Sequence, residues 1–357
     1  MISLFAVSVK LFTRRLQPRL IIGLVSVLLA APAAEAKDLL WQTNSGGDDI
    51  HIYDIETGKL VRRLVVGDHP HGIDTAPGSA TVFISLERNG RPHGELLWIN
   101  KHSFKIEHRL KVGRQPHAIA VTPDGRWIYV PCRDGHYWVI DGRRRKVTAK
   151  IRTGGRPHNT TAEPDGKFMY LSPMGGPERV TIAAPQRGHK VVGEIRFSDS
   201  VRPAAIAPSR HLFFQQVDGL NGFEVASLSR RERIARVEHS GSLGLRIWPE
   251  SIGFLGWSGL NRCHGLAVRP GDREIWSVCA GRVTIHSIDS RAFTQLAQFK
   301  LPGKGYWLTF SPNGRFAFIA LSKRSEVAMV DARTRKLVRR FPAGQSPKRN
   351  LVIPARR

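Results

Sequence analysis

The sequence predicts an all-β fold: a seven-bladed β-propeller closed by pairing the C-terminal strand with the N-terminal blade. Three observations predict it. A strand–turn–strand motif recurs seven times, with a proline at each turn: Pro77, Pro123, Pro164, Pro208, Pro270, Pro312 and Pro354. Successive prolines are 46, 41, 44, 62, 42 and 42 residues apart, and a unit of 41–46 residues holds the four strands of one blade. The array also begins and ends in half-blades that complete each other.

The best-formed copy shows each element in order. Ala118–Val121 is an apolar first strand, Pro123-Asp124-Gly125 is a turn, and Trp127–Val130 is a second strand. A third strand ends near an acid, as in Trp138-Val139-Ile140-Asp141 or Ala328-Met329-Val330-Asp331. A polar turn then leads to a fourth, at 146–151 and 336–341. Short β-rich runs between Gly, Asp, Asn and Pro turns are antiparallel hairpins. The last copy, 347–354, supplies only a first strand, whereas Leu39–Asn44 begins at a second. Joining them covers two edges that an open array would expose.

The motif Pro116-His117-Ala118-Ile119-Ala120-Val121-Thr122-Pro123-Asp124-Gly125-Arg126, followed by Ile128-Tyr129-Val130, resembles the YVTN-type propeller repeat. Trp41-Gln42-Thr43-Asn44 sits where the tetrapeptide that names that family belongs. The resemblance covers all of 37–357 and implies a bacterial envelope or secreted protein. Related seven-bladed propellers include lactonases, the streptogramin lyase, haem d1-binding domains and periplasmic binding proteins, so the fold does not select a function.

Residues 1–36 form the other expected unit, a cleaved secretory signal. Lys10, Arg14, Arg15 and Arg19 are a basic n-region, Leu20–Ala31 an apolar run, and Ala34-Glu35-Ala36 a small-x-small cleavage site. The apolar run is shorter than the ~20 residues of a spanning helix, which favours cleavage over an uncleaved anchor. A periplasmic or secreted location follows.

The chain has 55 Lys+Arg against 29 Asp+Glu and a formal net charge of +26. Removing a leader with four basic residues and one acid leaves +23. Export argues against nucleic acid as the partner. With 24% charged and 41% hydrophobic residues, the chain is neither a disordered polyelectrolyte nor a multi-pass membrane protein.

In a propeller, the first strand of each blade lines the central channel. The residue six positions before each turn proline opens that strand, and the seven are Lys348, His71, His117, His158, Arg202, His264 and Tyr306. All can hydrogen-bond and none is aliphatic. Three readings compete. Neutral imidazoles can hold a metal, although Lys348 and Arg202 would repel a cation. Arg and Lys suit a small carboxylate or phosphate, with the histidines held neutral by the neighbouring charge. A neutral histidine (His117, His158 or His264) can act as a base, with Arg202 or Tyr306 stabilising an oxyanion, as lactone hydrolysis or β-elimination requires. The anion reading accounts for all seven positions and ranks first. No cofactor is assigned.

Counting back from the turns of a regular ladder sets Cys132 beside His117 and Cys279 beside His264, and disfavours a Cys263–Cys279 disulfide. Asp134 and Asp218, in the loops between second and third strands, are the expected carboxylate partners of the ring histidines. The 62-residue spacing marks an insertion near 241–260, with Trp248 and Trp257, as a lid over the ring or a packing flap. The far-side turns carry a basic crown, including Lys59, Lys101, Arg143, Arg144, Arg145, Arg230 and Arg335. The crown is either a solubilising face or a dock for an anionic membrane surface or an acidic protein, the latter making the chain a scaffold.

Overall fold

The computed structural model describes residues 37–240, 263–279 and 281–354. The expected signal segment and the insertion with Trp248 and Trp257 lie outside them. The described residues form seven four-stranded antiparallel sheets. The first blade holds β1 (Leu39–Asn44), β2 (Asp49–Asp54) and β3 (Leu60–Val65). The second holds β4 (Pro70–Asp74), β5 (Thr81–Leu86), β6 (Gly94–Asn100) and β7 (Ile106–Val112). The third holds β8 (Ala120–Val121), β9 (Trp127–Cys132), β10 (His136–Asp141) and β11 (Lys146–Arg152). The fourth holds β12 (Arg156–Ala162), β13 (Met169–Met174), β14 (Arg179–Ala184) and β15 (Lys190–Arg196). The fifth holds β16 (Val201–Ala207), β17 (Leu212–Val217), β18 (Gly222–Ser227) and β19 (Glu232–Glu238). The sixth holds β20 (Cys263–Val268), β21 (Glu274–Cys279), β22 (Arg282–Ser287) and β23 (Gln295–Lys300). The seventh holds β24 (Gly305–Phe310), β25 (Phe316–Leu321), β26 (Glu326–Asp331) and β27 (Lys336–Pro342). The final strand, β28 (Pro347–Ile353), pairs with β1, so the first blade reads β28-β1-β2-β3 and the ring closes. No helix among the described residues is long and apolar enough to cross a membrane.

Local sequence explains the turns. Asp124 Oδ1 accepts bonds from Thr122 Oγ1 at 2.6 Å and Arg126 N at 3.0 Å. Gly125 takes a left-handed φ of +69°, which glycine adopts without a Cβ clash. The acid that ends the third strand also closes the next turn. Asp141 Oδ1 accepts from the amides of Arg143 and Arg144, and Asp331 Oδ1 from those of Arg333 and Thr334. These are Asx turns.

The core lies between blades. Trp276, Val278 and Ile285 of the sixth pack on Leu308, Ile319 and Ala328 of the seventh, all buried. Trp41 and Trp98 are similarly enclosed. Each such residue contributes roughly 2 kcal/mol by leaving water. The outermost strands are largely exposed on one face, as in β7, which alternates.

The pairing registers show one feature that the repeat spacing hides. Every innermost strand carries one extra residue opposite its neighbour, at the ring position. Pro70 pairs with Leu86 but Ile73 with Ile84. Pro157 pairs with Pro173 but Asn159 with Ser172. Val201 pairs with Val217 but Ala204 with Gln215. The same shift brackets Tyr306, Lys348 and His264, and His117 lies between the Pro116–Cys132 bridge and the Ala120–Tyr129 pair. Such bulges bend a strand and re-aim its side chain. At Gly72, a Cβ would lie 2.3 Å from the His117 carbonyl oxygen, so only glycine lets the second blade approach the third there.

The bulge corrects the cysteine assignments. Cys132 lies opposite Pro116, not His117. Cys279 lies opposite Cys263, not His264, and the two form a disulfide with Cα atoms 3.9 Å apart. A regular ladder would point Cys263 away from Cys279; the extra residue at His264–Gly265 brings them face to face.

Candidate functional site

Six ring residues stand on innermost strands, on β4, β12, β16, β20, β24 and β28, and His117 lies three residues before β8. Five of the seven side chains form a closed circle of aromatic rings. Centroid separations are 3.6 Å for His71–His117, 3.9 Å for His117–His158, 5.8 Å for His158–His264 and 4.1 Å for His264–Tyr306. The Tyr306 hydroxyl closes it, 3.0 Å from His71 Nε2. Lys348 Nζ lies 4.4 Å from the centroid of the Tyr306 ring, a cation–π placement. Arg202 is engaged instead in an ion pair with Asp218 and a contact with the Met174 sulfur.

Hydrogen-bond partners assign the tautomers. His117 Nδ1 lies 3.2 Å from the His158 carbonyl oxygen, and His264 Nδ1 lies 3.1 Å from that of Tyr306. A carbonyl only accepts, so both Nδ1 atoms carry the proton and both Nε2 atoms present a lone pair when neutral. His158 is the reverse. The Asn159 carbonyl oxygen accepts from Arg349, so its amide NH2 faces His158 Nδ1, at 2.6 Å, and donates to it. The proton of neutral His158 therefore sits on Nε2.

Burial, aided by the positive field of Arg349 and Lys348, holds His71 well below the usual imidazole pKa. Burial does the same to His117 and His158, and lowers His264 to about 3. The ring is therefore a set of neutral donors and acceptors at pH 7, with Lys348 the one ring cation among the described residues that has no carboxylate within 4 Å.

The acids differ from expectation. Asp218 serves Arg202. Asp134 accepts from Trp138 Nε1 at 2.9 Å and lies 3.6 Å from His136 Nδ1, away from the ring. The carboxylate that does reach the ring is Glu87, in the loop after β5, with Oε1 3.6 Å from His117 Nε2 and 3.9 Å from His71 Nε2. Burial pushes its carboxyl up, against the opposing field of Arg133 and Lys348. Glu87 stands in a second-to-third-strand loop, so its class was apparent from the repeat; its choice over Asp134 depends on which loop leans inward.

His71, Glu87 and His117 offer three donor atoms within 4.8 Å of one another. Two features oppose a metal there. His71 Nε2 is engaged by Tyr306, and the two imidazoles are tilted by 36° with centroids only 3.6 Å apart, so their in-plane nitrogens do not converge on one point. The other buried trio, His239 with Cys263 and Cys279, has its sulfurs in a disulfide.

Arg349, one residue beyond Lys348, was not singled out by the repeat spacing. It is 6% exposed, its guanidinium carbon lies 3.5 Å from the Trp307 ring centroid, and it faces a channel cavity of about 410 Å³.

The sequence matches no protein-family model and no curated protein. Solved structures do match. Kuenenia stuttgartiensis hydrazine synthase is similar with a TM-score of 0.67 and 19% identity, over 80% of this chain and 95% of that one. The periplasmic gluconolactonase PpgL of Pseudomonas aeruginosa gives 0.69 and 15%, over 89% and 99%. Dihydro-heme d1 dehydrogenase NirN in complex with DHE gives 0.64 and 15%, over 92% and 78%. At these identities the likeness is one of fold.

Proposed function

We propose that the ring binds a small anionic ligand of carboxylate or phosphate type. The observation that carries this is the Lys348 ammonium, held over Tyr306 at the edge of the circle with no carboxylate within 4 Å. Neutral His158 offers an Nε2–H as a further donor. Acetate and inorganic phosphate are the calorimetric probes. Lys348→Met is expected to weaken binding of whichever binds by about tenfold, the cost of a charge-assisted contact. Unchanged affinity in that variant removes the reading.

The bare Nε2 lone pairs of His117 and His264 favour a second reading, lactone hydrolysis. His264 Nε2 would take a proton from water as the oxygen attacks the lactone carbonyl. Lys348 would stabilise the oxyanion, and the imidazolium would return the proton as the ring C–O bond breaks, leaving a hydroxycarboxylate. A pH-stat assay on δ-valerolactone tests it: turnover lost in His264→Ala supports hydrolysis, and no turnover by the native chain removes it.

A periplasmic or secreted location is supported by the leader pattern and by the Cys263–Cys279 disulfide, which persists in oxidising compartments. The exported protein is expected to begin at Lys37 and, when unfolded without reductant, to alkylate at one thiol, Cys132. An intact residue 1 or three reactive thiols contradicts it. We read the crown chiefly as solubilising, because part of it is internally paired: Arg230 with Glu232 at 2.6 Å, Arg233 with Glu224 at 2.8 Å and Arg335 with Glu274 at 3.6 Å.

A further inference from the structure

On the turn-proline side of the ring, the channel holds the cavity of about 410 Å³, which runs from Arg349 and Asn159 to Pro77, Pro123 and Pro164. Residues that line it carry buried polar atoms with no hydrogen-bond partner within the protein. Arg349 Nε, Asn350 Oδ1, Thr160 Oγ1 and Glu163 Oε2 are all buried and unpaired. Native proteins leave few such atoms, and each one calls for an explanation such as a bound molecule.

Arg349 is the most demanding. It is more than nine-tenths buried, and no carboxylate lies within 4 Å of it among the described residues. Its guanidinium makes one side-chain hydrogen bond, to the neutral Asn159 carbonyl. Its backbone is pinned: the carbonyl accepts from Gln42 Nε2 and Thr43 Oγ1, both at 3.0 Å. An unpaired buried charge costs several kcal/mol, and a planar fork with a free edge matches a carboxylate. Asp74 and Glu163 line the same cavity. Where ionised, they repel a second negative group beyond the one held by Arg349, which disfavours phosphate, dicarboxylates and tricarboxylates. Thr160 and Asn350 offer partners for a hydroxyl.

We infer that this chamber is a second ligand site, taking a small hydroxy-monocarboxylate whose carboxylate pairs with Arg349. It is separate from the ring and does not depend on the ring reading.

Glycolate is the probe. Crystals of the protein soaked in glycolate are expected to show it on Arg349, with its hydroxyl toward Thr160 or Asn350. Density on Lys348 and His264 alone overturns the chamber and leaves the ring reading standing. Density on Arg349 alone supports the chamber and counts against the ring. Water alone at Arg349 under saturating glycolate overturns the proposal. In solution, Arg349→Met is expected to weaken glycolate binding at least tenfold by calorimetry, and an unchanged affinity overturns it. If that variant fails to fold, the soaked native crystal still decides.

Discussion

Deleting residues 347–357 is expected to abolish cooperative folding. β28 is the only partner of β1 on its channel side among the described residues, in register from Leu39–Ile353 to Asn44–Pro347. Side chains reinforce the closure. Thr43 Oγ1 bonds to the carbonyl oxygens of both Arg349 and His71, and Asn350 Nδ2 bonds to Gln42 Oε1 at 3.3 Å. Val352 and Ile353 are buried against neighbouring blades. Losing two buried aliphatic residues and a strand of backbone bonds removes about 10 kcal/mol, comparable with the whole stability of an ordinary domain. It also exposes the edge of β1 to aggregation. Circular-dichroism melting should show no cooperative transition, and a peptide of residues 347–357 added in trans should restore part of it. A truncated chain that melts like the native one contradicts closure by β28.

The second large effect is acid lability. Histidines 71, 117, 158, 239 and 264 all have folded pKa values depressed below 6.5, chiefly by burial, with His239 and His264 at about 3. The unfolded chain then binds more protons than the native one below pH 6.5, so stability falls as pH falls through that window. At pH 5.5 His239 and His264 each contribute a loss of about 1.4 kcal/mol, and the other three act in the same direction. Asp74 works in the opposite direction, because burial raises it to about 7. Its native state takes up a proton first, which offsets about 2 kcal/mol of the loss. The net change between pH 7.5 and 5.5 is a loss of stability, because the five histidines outweigh the raised carboxyls of Asp74 and Glu87. Urea midpoints across that range measure it, and His158→Asn should flatten the slope by roughly one histidine's share. A flat profile would show that the imidazoles are solvated.

Several elements were legible in the residues. The turn prolines count the blades, and the half-blades at the two ends predict the β28–β1 pair. The six-residue offset picks out side chains that meet in space, because residues at one phase of a repeat occupy equivalent places around an axis. Charge placement was less legible. Arg202 counted as a ring cation until its pairing with Asp218 was visible, and Glu87 was one acid among several in its loops.

The sequence by itself determined the architecture, since period and hydrophobic alternation specify which positions face alike in every blade. The tertiary structure alone decided the chemistry at the axis. A one-residue bulge leaves the repeat length unchanged, so the spacing cannot reveal it, yet it turns Cys263 onto Cys279 and shifts Cys132 away from His117. Contacts such as Glu87 with His117, or Arg349 with Asn159, join different blades. They exist only once the ring has closed, when residues as far as 235 positions apart, such as His71 and Tyr306, meet in one channel.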